Sequence, residues 1–87
     1  MGWVVYMLRC KSGELYTGCT TDLARRVREH NAGKGGKFTR SRLPVTVVFE
    51  EVVGNRSKAL RRESAIKAMT RGEKLRLVDQ SALATTA

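Results

Sequence analysis

Residues 3–19 read WVVYMLRCKSGELYTGC, and the fold turns on this stretch. WVVYMLRC at 3–10 is β-branched, aromatic and apolar, the composition of a pleated strand. KSGE at 11–14 supplies the Ser and Gly of a tight turn, and LYTGC at 15–19 resumes as the partner strand. The two runs make a β-hairpin. Tyr6 and Tyr16 therefore fall on paired strands, where they can lie side by side or diagonally. A strand tyrosine taken singly is an ordinary core residue with a solvated hydroxyl.

Outward from the hairpin, Thr20, Thr21 and Asp22 offer helix-capping oxygens. LARRVREHNA follows with helical spacing until Gly33 ends it. GKGGKFTRSRLP at 33–44 is rich in glycine and cations, closes on the chain's one proline, and predicts a loop. VTVVFEEVV at 45–53 predicts a third strand, and its near-continuous apolar run suggests a central position buried on both faces. Gly54 to Ser57 break that strand and cap a second helix over about 57–69. Thr70 and Glu73 have capping-box spacing and open a third helix through about Val78. QSALATTA at 80–87 has no periodicity and is expected to fray. The expectation is one α+β domain over 1–79 followed by a tail over 80–87. Its order is β-β-α-β-α-α, a three-stranded, mainly antiparallel sheet with helices packed on it.

The 87 residues suffice for one domain, and 41% apolar with 29% charged residues is a globular composition. The short run from Trp3 to Leu8 is far below the ~20 residues of a membrane span. It lacks the basic flank and cleavage site of a signal peptide. Cys10, Cys19 and a lone histidine do not supply the ligands of a recognisable zinc finger or ribbon. These features point to a soluble, cytoplasmic, reduced protein. The outlying property is charge: 17 Lys/Arg against 8 Asp/Glu leave +9. That balance points to a polyanionic partner.

Helical geometry places some polar side chains beside apolar stripes. In the first helix Leu23, Val27 and Ala24 define the buried side. Arg26 and His30, four apart and so stacked one above the other, lie on its edge, whereas Arg25, Arg28 and Glu29 face solvent. The bland reading of the pair is a boundary histidine and a snorkelling arginine. In the second helix Glu63 falls between Ala59 and Leu60, inside the stripe. Desolvating a carboxylate costs several kcal/mol, so such a residue is paired or bound to a metal. The two readings are an internal salt bridge with one of the many arginines and a carboxylate aimed into a site to hold a divalent ion.

VVY at 4–6 and YTG at 16–18 resemble the two motifs that name the GIY-YIG nuclease family. Tyr6, Tyr16 and Gly18 match literally. Arg26 follows the second tyrosine by ten residues and His30 comes four further on. Glu63 sits in a helix beyond a third strand, where the family places its metal-binding glutamate. The resemblance covers about 3–78 and is nearest to the small stand-alone bacterial members. It implies a metal-dependent endonuclease that attacks phosphorus with water, with one Mg²⁺ or Mn²⁺ on Glu63. Arg26 would stabilise the charge developing on the phosphoryl group, and Tyr16 would help orient water or phosphate. Tyr6 would take the proton from water, directly or through His30. The chain departs from relatives in having His30 where several carry tyrosine and Cys19 where some carry lysine. Its asparagines are Asn31 and Asn55, neither downstream of Glu63.

Charge placement agrees with a phosphate-bearing substrate. Fifteen of the 17 basic residues lie between Arg25 and Arg76. Arg25 with Lys34, Lys37, Arg40 and Arg42 would grip a nucleic-acid backbone. The bland reading of these cations is a solvated face. No element reads a base edge, so binding is expected to be backbone-dominated and structure-selective or weakly sequence-specific. The expected partner is DNA, with RNA left open; no membrane or protein partner is indicated. A role in DNA repair or recombination fits this substrate. A non-catalytic nucleic-acid-binding module on the same basic face is the other reading.

Overall fold

The structure, a computed structural model, describes residues 2–86, with side chains through Ser81. The hairpin forms as β1 (Trp3–Arg9) and β2 (Leu15–Thr20), followed by α1 (Leu23–Asn31), α2 (Lys37–Arg40), β3 (Thr46–Val53), α3 (Arg56–Lys67) and α4 (Arg71–Thr86). All three strands are antiparallel, in the order β2-β1-β3. The expected α+β architecture is present, with one addition: the glycine- and cation-rich loop carries the four-residue helix α2.

β1, not β3, is central. Val5, Tyr6, Met7 and Leu8 are all buried, because helices cover both faces of that strand. Val5 and Met7 point to a core with Phe49, Ala59, Ile66 and Val78, under α3 and α4. Tyr6 and Leu8 point to the other face, packed with Val45, Leu23 and Val27 from the α1 side.

The apolar run in β3 has a different origin from two-sided burial. The β1–β3 register slips between Met7 and Leu8, which pair with Phe49 and Val47. Val48 is the extra residue, and with Phe49 it packs against the α3–α4 core. A bulge of this kind breaks the in–out alternation and makes an edge strand look continuous in sequence. Val52 on the same strand is 73% exposed, which fits an edge and not a centre.

The helix starts follow local chemistry. The Asp22 side chain accepts from Arg25 N, and Asn55 accepts from Lys58 N. Thr70 and Glu73 form a reciprocal capping box: Thr70 N donates to Glu73 Oε1 at 2.8 Å, and Glu73 N donates to Thr70 Oγ1 at 3.2 Å. α4 runs past the Val78 expected as its end and on to Thr86, so residues 80–86 of the expected tail are helical; Ala87 lies outside the described residues. Ala24 and Leu60, expected on buried stripes, are exposed.

Asn31 joins the end of α1 to the start of β3. Its Oδ1 accepts from Val45 N at 2.8 Å, and its Nδ2 donates to Val45 O at 3.3 Å. Val45 is buried, so removing this side chain strands a backbone N–H away from water. Asn31→Ala is expected to lower the unfolding free energy by about 1–3 kcal/mol. A urea melt with unchanged slope and a lower midpoint is the result that checks it.

Candidate active site

The site starts at a gap in the hairpin. Tyr6 pairs with Gly18 across the strands, and Tyr16 sits one non-adjacent pair away, opposite Leu8. The tyrosines are therefore diagonal neighbours on one face, with ring centroids 6.5 Å apart. A Cβ at position 18 would stand 2.6 Å from the Tyr6 hydroxyl oxygen and 3.3 Å from Tyr16 Cε2. Only a residue without a side chain lets the Tyr6 ring lie over its partner strand.

α1 brings His30 onto these rings. His30 is fully buried, with Nε2 3.3 Å from the Tyr6 hydroxyl and its ring 5.2 Å from that of Tyr16. Its other nitrogen, Nδ1, lies 2.8 Å from Thr39 Oγ1 of α2. One turn before His30, Arg26 donates through Nη1 to Glu29 Oε1 and through Nη2 to Gly35 O, both at 3.1 Å. Tyr6, Tyr16, Arg26 and His30 thus gather on the α1 side of the sheet.

Gly35 closes this group from the loop side. A Cβ there would fall 2.0 Å from His30 Nδ1, so bare backbone is pressed against the imidazole edge. Phe38 of α2 stacks on Tyr16 at 6.0 Å, and the Arg42 guanidinium lies 4.2 Å over the Phe38 ring. Arg42 also donates to Phe38 O at 2.7 Å and pairs with Glu14 at 3.4 Å. It braces α2 as much as it faces solvent. Arg25, Lys34, Lys37 and Arg40 are exposed, around the rim.

Glu63 approaches from the opposite face of the sheet. Successive strand residues point to opposite faces, so Gly18 serves the tyrosine side while Cys19 faces α3. The Cys19 thiol donates to Glu63 Oε1 at 3.2 Å, and Lys67 holds Glu63 Oε2 at 2.9 Å. The Glu63 side chain is only 16% exposed. Glu63 is thus a salt-bridged carboxylate, with Lys67 and not an arginine as its partner. Lys67 and Lys74 line a cleft of about 240 Å³ with Tyr16 and Phe38. The two halves therefore flank the β2 edge, and among the described residues Glu63 hydrogen-bonds to neither Tyr6 nor His30.

Burial shapes the titration of these groups. It pushes the Tyr6 phenol above its ordinary value of 10.0, with the Arg26 guanidinium beside it pulling partly back. It pulls His30 below 6.5, and the Arg26 charge acts in the same direction. Both are neutral at pH 7. The Cys19 thiol is pushed up to about 11, first by burial and then by the Glu63 carboxylate, so it steers that carboxylate as a donor.

Among the described residues, no three His, Cys, Asp or Glu side chains gather into a cage. Glu63 offers the carboxylate oxygens that an ion of the magnesium type takes, but Lys67 occupies one and the Cys19 thiol the other, so such an ion would displace Lys67 and fill its shell with water and substrate phosphate.

Comparison with known proteins meets this geometry directly. The family model described as the GIY-YIG catalytic domain matches residues 2–76. The chain belongs to the GIY-YIG catalytic-domain family. A UPF0213 protein of Staphylococcus haemolyticus is 45% identical over 76 residues, covering 87% of this chain and 93% of the relative. A UPF0213 protein of Haloquadratum walsbyi is 53% identical over 76 residues, covering 87% and 85%. The solution NMR structure of a UPF0213 protein from Bacillus halodurans superposes with TM-score 0.60 at 41% identity, covering 92% of this chain and 85% of the other. That of a protein from E. faecalis gives TM-score 0.65 at 36% identity, covering 95% and 88%.

In this GIY-YIG domain the sequence spacing missed Gly35, Phe38, Thr39 and Lys67. Lys67 was legible as the i+4 partner of Glu63. Nothing local marks the other three, because α2 takes its place through contacts with α1 and β2.

Two predictions follow from the crowding and the burial. Gly18→Ala and Gly35→Ala each force an aromatic ring or a loop to move, and are expected to cost about 1–3 kcal/mol in chemical denaturation. Gly54→Ala, whose Cβ would meet only the flexible end of Lys58 at 3.7 Å, is expected to stay within about 0.5 kcal/mol. His30 has its folded pKa depressed, so on acidification the unfolded chain takes up that proton first. Its contribution is complete above about 6.5 and is lost as pH falls toward the folded value. Thermal melts at about pH 7.5 and about pH 5 should show a drop for the wild type that is smaller in His30→Gln.

Proposed function

We propose that the chain is a divalent-metal-dependent endonuclease that hydrolyses phosphodiester bonds in DNA, structure-selective or weakly sequence-specific. The observation that carries this reading is the convergence of Tyr6, Tyr16, Arg26 and His30 at a gap made by Gly18, with Glu63 tethered to the next residue of the same strand.

The groups divide the work by their chemistry. Tyr6 is no preformed phenolate, since burial keeps its proton on. It acts as a relay: its oxygen takes a proton from the attacking water while its own proton passes to His30 Nε2, the acceptor at 3.3 Å. Neutral His30 is therefore the base that ends the relay. Arg26 turns its guanidinium to a non-bridging phosphoryl oxygen and opposes the charge that builds there. Tyr16 donates to the phosphate or the water and fixes the line of approach. Glu63 would hold Mg²⁺ or Mn²⁺ once Lys67 turns away, and the ion would supply polarisation of the phosphoryl group and stabilisation of the leaving oxygen. The departing oxygen takes its proton from solvent.

Arg25, Lys34, Lys37 and Arg40 supply the grip on the backbone. DNA is the substrate favoured here, with repair or recombination as its setting, in the cytoplasm, where the free thiols of Cys10 and Cys19 persist.

The test is nicking of supercoiled, single-stranded and branched DNA with and without Mg²⁺ or Mn²⁺, wild type beside Glu63→Gln. Wild type should cut only with metal, and Glu63→Gln should bind equally but cut at least ~10²-fold more slowly. Binding by both without cutting by either would leave a nucleic-acid-binding module. Affinity should fall steeply with salt, log K dropping by about 0.7–0.9 per log unit of salt for each phosphate neutralised. A flat salt response would refute backbone-dominated binding.

A further inference from the structure

The chain has a single histidine, and both of its ring nitrogens are engaged in the interior. Nε2 meets the Tyr6 hydroxyl at 3.3 Å and Nδ1 meets Thr39 Oγ1 at 2.8 Å. A neutral imidazole carries one N–H, so one nitrogen donates and the other accepts. Hydroxyls on both sides could take either role, and the pair of contacts alone does not choose between tautomers.

Arg26 makes the choice. One turn before His30 and bonded through Nη2 to Gly35 O, it brings donors only and no acceptor to this site. The Tyr6 proton therefore needs another acceptor, and the one within reach in this buried site is His30 Nε2. With Nε2 bare, the imidazole proton sits on Nδ1 and points at Thr39 Oγ1. The backbone of Gly35 is pressed against that same edge of the ring, which leaves no room for water to stand in for Thr39. Thr39 itself is only 1% exposed.

We propose that Thr39 is a positioning residue: by accepting the Nδ1 proton it holds His30 in the tautomer whose Nε2 is free to receive the proton of Tyr6. Thr39 lies in α2 between Lys37 and Arg40, which are exposed at the rim. The segment that presents cations to the backbone of a nucleic acid is thus the one that sets the protonation state of the buried relay. After proton transfer both ring nitrogens carry hydrogens, and Thr39 Oγ1 remains the acceptor for Nδ1–H. The effect on catalysis rests on the nuclease reading above, whereas the tautomer does not.

One imidazole in the chain makes the tautomer directly readable. Protein labelled with ¹⁵N-histidine is examined by long-range ¹H–¹⁵N correlation for wild type, Thr39→Val and Thr39→Ser, with nicking kinetics measured on the same samples. Wild type and Thr39→Ser should show a protonated Nδ1 and a bare Nε2. Thr39→Val should shift both nitrogens toward a mixture and lower kcat about 10- to 100-fold with KM nearly unchanged, and serine should restore most of it. A proton on Nε2 in the wild type overturns the proposal, as does a Thr39→Val protein with unaltered nitrogen shifts. Should Thr39→Val not fold, Thr39→Ala, which opens space where Val fills it, is read by the same criteria. A wild type that cuts nothing overturns the nuclease reading and leaves the spectra to decide Thr39; a wrong tautomer in an active enzyme overturns Thr39 alone.

Discussion

The buried contact between the Tyr6 hydroxyl and His30 Nε2 is the constraint around which the rest of the molecule is arranged. Two polar rings in an apolar interior are costly unless each finds partners. The central strand holds Tyr6, α1 holds His30, and the neighbouring groups supply what those two lack: Arg26 beside the phenol, Thr39 for Nδ1, and bare backbone at Gly18 and Gly35 so that both rings fit. The same burial that keeps water out keeps both groups neutral at pH 7. A neutral donor facing a neutral acceptor is the condition in which a proton can be passed along without first being removed by solvent.

The sheet order explains how Glu63 is tied to the strand that carries Tyr16 and Gly18 without being buried beside the tyrosines. β2 is an edge strand, so helices on both faces can reach round it. Gly18 opens the α1 face and Cys19, one residue later, ties α3 to the other. Glu63 therefore stays 16% exposed, its oxygens held by a thiol and an ammonium. A carboxylate in that setting keeps its direction, fixed by the Cys19 thiol and the Lys67 ammonium. Lys67 is the cation already present there, and its exposed side chain can turn toward a phosphate in the cleft it shares with Tyr16.

Much of this was legible in the residues because local rules carried it. The hairpin followed from β-branched runs about a Ser-Gly turn, the helix starts from Asp22, Asn55 and the Thr70–Glu73 box, and the meeting of Arg26 with His30 from i+4 spacing. Glu63 stood out as a charge in an apolar stripe; its ion-pair partner is Lys67, four residues on, and not one of the arginines. The failures have one physical source: they depend on what the tertiary structure lays over a segment. VTVVFEEVV resembles a central strand, yet its continuity comes from a bulge that turns Val48 and Phe49 to the same core. α2 has no helical periodicity of its own; Thr39 and Phe38 hold it against His30 and Tyr16.

The basic excess takes its meaning from this arrangement. A net charge of +9 draws any polyanion and does not distinguish a binder from an enzyme. Here the exposed cations Lys34, Lys37 and Arg40 belong to the same loop and short helix that supply Gly35 and Thr39 to the buried relay. In the proposed function a phosphate backbone drawn onto that loop would meet Arg26, and a phosphoryl oxygen would replace its present acceptors, Glu29 and Gly35 O. Under the proposed function, grip and chemistry would share one segment, with Lys34, Lys37 and Arg40 exposed and Gly35 and Thr39 buried against His30.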